Sequence, residues 1–164
     1  MPHSIERRRL SLAAAAWSGL WALAPPLAGA APLAGGEDAQ AFRALRRVRG
    51  HFDGGRWNDD VDRWQGRKHV AMQGLAEQML RAHAPATQLR QAMGEPDERL
   101  QPGQAAHARA VEQAQWLTSS DSEAPIKRNT ATLWLYRWRG RHDQLAFALE
   151  HERVIAAGWL HDWE

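Results

Sequence analysis

No cysteine occurs anywhere in the chain. Disulfide cross-linking is thereby excluded, and a domain built from this sequence must be held by an ordinary apolar core. The same absence removes the thiol that a bacterial lipoprotein acylates just after its signal. A surplus of one charge is lacking as well. The chain carries 21 Lys+Arg against 19 Asp+Glu, and residues 1–30 hold Glu6, Arg7, Arg8 and Arg9, which leaves 18 of each sign beyond them. That balance argues against nucleic acid or an anionic membrane surface as the partner. Motifs of catalysis are missing too. There is no Gly-x-Ser-x-Gly, no phosphate-cradling glycine loop and no zincin helix, and Ser119, Ser120 and Ser122 fall in a polar connector. No cofactor is expected. After the first thirty residues no long apolar run appears, so stable membrane insertion is not expected either.

What is present begins with a leader. Arg7 to Arg9 form a positive head, Leu10 to Leu23 an apolar stretch, Pro25-Pro26 a break, and Ala28-Gly29-Ala30 the small residues a signal peptidase needs. This is the layout of a secretory signal cleaved after Ala30. The apolar stretch is shorter than the roughly 20 residues that cross a bilayer. Arg7-Arg8 hints at the twin-arginine route, although Glu6 and Ser11 depart from its pattern. Residues 31–164 are expected to form one domain with a flexible connector at 118–125, soluble and periplasmic or secreted.

Apolar spacing within that domain predicts a helix over 37–48 with Phe42, Leu45 and Val48 on one side. A loop follows at Gly54-Gly55, then a long helix over 61–83 bearing Val61, Trp64, Met72, Leu75, Met79 and Leu80, with Asp62 and Gln65 at capping-box spacing. A short helix from Thr87 as cap to Met93 is closed by Gly94 and Pro96. Residues 97–102 are a strand or a crossover, and 103–117 an alanine-rich helix whose thin apolar side is Ala108, Val111 and Leu117.

The segment 133–159 reads as three antiparallel strands. With turns at Arg141-His142 and His151-Glu152, Trp138 faces Leu145, Tyr136 faces Phe147, Trp134 faces Leu149, and Leu149 faces Val154. The rings then share one face and build the core against the helices 61–83 and 87–93. The opposite face would carry Leu133, Leu135, Arg137, Ala146, Ala148, Ile155, Ala157 and Trp159. It is too apolar to stay wet, and its cover is either the helix 38–48 or a partner.

Two consecutive helices, the second running from Thr87 through Leu89 to Met93-Gly94 and Pro96, precede strands that contain Tyr136, Phe147 and Val154. Over 61–160 this pattern resembles the SmpA/OmlA (BamE-like) small envelope domain. The resemblance implies an α+β domain outside the cytoplasm and a non-catalytic role supporting outer-membrane or envelope assembly, with another envelope protein as partner. The chain departs from the family in lacking a lipidation cysteine, in an insertion at about 97–130, and in a tryptophan-rich segment before the helices.

Two readings of function result. In the first, the protein is a non-catalytic interaction module that binds its partner through Leu133, Leu135, Ile155 and Trp159, through the Trp57–Trp64 loop, or both. In the second, a metal centre or metal-dependent hydrolase is built on His142, Asp143, His161 and Asp162, which the strand directions bring to one end of the sheet. His151 belongs to the opposite end, about 30 Å away at ~3.3 Å per residue. Asp59, Asp60 and Asp62 do not have calcium-loop spacing, because Arg63 and His69 stand at the sixth and twelfth positions counted from Asn58. They read instead as helix-capping residues. His69 reads as a surface or capping residue of the long helix.

Overall fold

A computed structural model describes residues 35–117 and 128–161; the leader, the connector expected at 118–125 and Asp162 lie outside the described residues. The fold is α+β. Helices α1 (Glu37–Leu45), α2 (Asp59–Asp62), α3 (Arg67–Arg81) and α4 (Ala86–Met93) precede strand β1 (Glu98–Leu100). Helix α5 (Ala105–Gln113), strand β2 (Gln115–Trp116) and the meander β3 (Thr132–Arg139), β4 (Asp143–Glu150) and β5 (Arg153–His161) complete the chain. The five strands form one antiparallel sheet in the order β1-β3-β4-β5-β2, so the expected meander is its centre and two very short strands flank it. Short edges leave little unpaired backbone to recruit another strand.

The ring-bearing face is the main core. Trp134, Tyr136, Trp138, Leu145, Phe147 and Val154 lie there beneath Met72, Leu75 and Met79 of α3 and Leu89 and Met93 of α4. Helix α1 packs in the same layer. Its Phe42 is fully buried and meets Tyr136 edge-on at 6.4 Å, so this helix does not cover the opposite face.

That second face is covered by α5, whose Ala110 packs in one cluster with Leu100 of the edge strand β1 and with Leu133, Leu135, Ala146, Ala148 and Ala156. The His107 ring bonds to the Ala131 carbonyl at 2.7 Å. This pin turns α5 so that His107 and Ala110 face inward while the expected Ala108 is exposed.

Two β-bulges correct the expected strand pairing. In β3 the turn closes with Arg139 opposite Asp143, one residue off the expected register, and an extra residue between Arg137 and Arg139 adds a second, so Tyr136 pairs with Leu145 and Trp134 with Phe147, a two-residue shift that keeps the rings on their face. In β5 the extra residue is Ile155, since Val154 pairs with Leu149 but Ala156 with Ala148. A one-residue offset exchanges faces. Ala157 and Trp159 therefore join the ring-side core instead of the opposite face. The second turn stands where the spacing put it, with His151 and Glu152 both at positive φ, 48° and 58°, as the tight mirror-image hairpin turn requires.

Helices α3 and α4 also begin differently from expectation. The long helix breaks between Asp62 and Arg67, where Gln65 has φ 60° and Gly66 occupies the N-cap. Asp62 and Gln65 thus form no capping box, and Asn58 caps α2 by accepting from the Asp60 N–H at 3.0 Å. Pro85, not Thr87, precedes the first turn of α4. Gly94 ends that helix with φ 78°, and the Arg46 guanidinium from the end of α1 reaches over it to the carbonyls of Met93 and Glu95 and to Asp97. The expected glycine stop thus also anchors α1. Among the described residues, no helix is long and apolar enough to cross a membrane.

Candidate functional site

The bulges deliver polar chemistry to the helix side of the sheet at the β3–β4 turn. The extra residue in β3 sets Arg139 opposite Asp143, and the one in β5 sets His161 opposite Asp143 from the other flank. Asp143 is nearly buried and accepts from both neighbours. Arg139 Nε reaches Oδ2 at 2.7 Å, Nη2 reaches the same oxygen at 2.7 Å, and His161 Nδ1 stands 2.5 Å from Oδ1. Charge-assisted bonds of this kind hold a carboxylate firmly. The Arg139 guanidinium is stacked 4.0 Å over Trp138 and 4.9 Å from Phe52, and its Nη1 donates to the Asp62 carbonyl.

The segment 50–66 forms the wall above this trio. Its organiser is Asp62, whose buried carboxylate accepts from the backbone N–H groups of His51 at 2.9 Å and Asn58 at 2.8 Å, cross-linking the two limbs of the loop. The loop tip rests on the β3–β4 turn at Gly140, where φ is 54° and an added Cβ would stand 2.7 Å from the Phe52 carbonyl oxygen. Only glycine suits such a position. Pinned this way, the loop presents three large apolar side chains to solvent: Phe52, Trp57 at 56% exposure and Trp64 at 53%. Trp57 Nε1 donates to Asp59 at 2.7 Å.

Trp64 is packed on one side only. Beneath it lies His69, with ring centroids 4.2 Å apart, and His69 also meets Trp138 at 4.5 Å and stacks on Trp159 at 4.9 Å and 13°. Among the described residues, neither His69 nitrogen has a hydrogen-bond partner. Burial among indoles, with help from the nearby Arg139 and His161, pushes its pKa down to about 4, so the ring is neutral at ordinary pH. Next to it the buried Lys68 ammonium donates to the Trp138 carbonyl at 2.7 Å, and burial lowers its pKa as well.

Phe52 and Trp64 stand at the mouth of a recess of about 440 Å³ whose polar lining is Gln115, Arg139, His142, Asp143 and His161. Of the expected metal ligands, His161 and Asp143 do come together. His142 turns toward Phe52, its ring 5.9 Å away and tilted by 60°. Among the described residues no group of three or more histidine, aspartate or glutamate side chains is arranged to hold a metal ion. Asp143 is bonded to both Arg139 and His161, and Asp162, the fourth candidate ligand, lies outside the described residues.

The expected apolar contact patch is not at the surface. Leu133, Leu135 and Trp159 are buried, and Ile155 is half-buried against the α5 side. Trp159 instead donates from Nε1 to Gln73 of α3 at 2.7 Å. Trp57 and Trp64 are the contact residues that remain exposed.

Sequence reasoning passed over Arg139, Gln115 and Phe52, for which no motif speaks. It placed His69 at the surface although the sequence held a signal against that. His69, Met72 and Ala76 recur at i, i+3 and i+7, which puts the imidazole on the buried stripe of α3. No protein-family profile, characterised protein or solved structure matches the chain.

Proposed function

We propose that the protein is a non-catalytic interaction module of the cell envelope, exported by its leader, soluble in the periplasm or secreted, and docking on another envelope protein, as a BamE-like domain would. One observation carries this reading: a loop cross-linked by a buried carboxylate holds Trp57 and Trp64 more than half exposed. Exposed tryptophan on a rigid support is the chemistry of an interface anchor, because the ring buries a large area and little side-chain entropy remains to be lost. The succession α3, α4, Gly94, Pro96 and meander supports the family likeness, and the balanced charge beyond the leader argues against nucleic acid.

The experiment is photo-crosslinking in cells from a benzophenone side chain at position 57, followed by mass spectrometry. The expected result is one dominant envelope protein, recovered much less when Trp64 is also replaced by Ala, with the melting temperature of that variant near wild type. Cross-links spread over unrelated cytoplasmic proteins, or yield unchanged by Trp64→Ala, would overturn the reading.

A further inference from the structure

We infer that the recess between the Phe52–Trp64 wall and the β3–β4 end of the sheet is a binding site for a neutral pyranose saccharide. The inference goes beyond the protein contact through Trp57 and Trp64, and shares Trp64 with it.

The first argument is charge. Arg139 is committed to Asp143 through two N–H groups, and Asp143 is bonded to His161 through its other oxygen. An anion would have to compete with Asp143 for the guanidinium, and a cation would have to compete with Arg139 for the carboxylate. A neutral ligand meets neither cost.

The second argument is hydrogen-bonding capacity. A guanidinium has five N–H groups, and Arg139 spends three, on Asp143 twice and on the Asp62 carbonyl. A carboxylate has about four lone-pair sites, of which Asp143 uses three. Unspent donors and an unspent acceptor thus sit side by side. Gln115 adds an amide that makes no side-chain hydrogen bond among the described residues, and it lines the same recess. Adjacent donor and acceptor suit a hydroxyl group, which is both.

The third argument is shape. Trp64 is backed by His69, tilted by 47° at 4.2 Å, and by Trp138 edge-on at 5.7 Å, so its exposure is built into the packing. Its open side, with Phe52 beside it, offers negative ring faces to the weakly positive C–H groups of a sugar ring. At about 440 Å³ the recess is within the ~300–1,000 Å³ range of small-ligand sites. The inference is one of binding. Glycoside hydrolysis needs two carboxyl groups across the bond, and Asp143 is the one carboxylate lining the recess among the described residues.

The test is an amide and indole NMR titration of the full chain with cellobiose, maltose and N,N′-diacetylchitobiose, and with glucuronate as the charged control. At least one disaccharide should shift the Trp64 indole N–H and the Arg139 Nε–H saturably, with half-saturation below about 10 mM. Trp64→Ala and the surface change Gln115→Ala should each weaken it about fivefold or more, while Trp57→Ala leaves it unchanged. No saturable shift with any of the three, shifts that survive Gln115→Ala and Trp64→Ala together, or glucuronate binding in preference to the neutral sugars would overturn the inference. Each of these results leaves the cross-linking result at position 57 standing.

Discussion

His69→Phe should make this protein more stable, and the gain should grow on acidification. The imidazole is 5% exposed, and both its nitrogens lack a partner among the described residues. One is a donor and the other an acceptor in the neutral ring, and leaving a buried polar atom unpaired costs about 1–3 kcal/mol. A phenyl ring keeps the stack on Trp159 without those atoms, at the cost of fitting a slightly larger ring. A gain of about 1 kcal/mol at neutral pH is expected.

Titration adds a second component. In the folded protein the His69 pKa is about 4, against 6.5 for the unreacted side chain. Between those values the unfolded chain binds a proton that the folded one refuses, so stability falls as pH drops through 6.5 and goes on falling until about 4. Above 6.5 the group contributes no pH dependence. Integrated down to about pH 5, the loss is about 2 kcal/mol. Urea unfolding of wild type and His69→Phe at about pH 8 and about pH 5 measures both parts. The other titrating groups act on both proteins alike, so the variant should lose about 2 kcal/mol less between the two conditions. Parallel pH profiles would refute the caged, neutral histidine.

Asp62→Ala removes the cross-link of the 50–62 loop and leaves the His51 and Asn58 N–H groups without their acceptor; a loss of about 3 kcal/mol is expected, with hydrogen exchange at those two amides rising before the sheet opens. Gly140→Ala meets both a positive φ and the Phe52 carbonyl. It should cost about 2 kcal/mol or more in urea unfolding, whereas Gly103→Ala, with open space around it, should cost only the smaller penalty of its backbone angle. Replacing His151-Glu152 by Asn-Gly matches residue type to the positive φ of both turn positions and should stabilise by about 1 kcal/mol. Unchanged or lower stability there would mean that the native side chains make compensating contacts.

Much of the architecture could be read before any coordinates. Period-two alternation placed Trp134, Tyr136 and Trp138 on one buried face, and helical spacing placed Met72, Leu75 and Met79 against it, because burial of apolar surface is a local and repetitive demand. The turn at His151-Glu152 followed from where that alternation breaks, and the stop at Gly94 from the residue type that ends helices. What tertiary structure decided was the site. The bulges in β3 and β5 have no residue signature, yet they choose which face Arg139, Trp159 and His161 occupy. The sequence alone offered Trp159 as a contact residue, and one inserted residue at Ile155 made it core. The cover of the second face was equally hidden, since α1 and α5 are both short and amphipathic and only the assembled packing shows α5 lying there. Periodicity is a property of neighbours along the chain; where a strand slips by one residue, or which helix closes a face, is settled by partners far away in it.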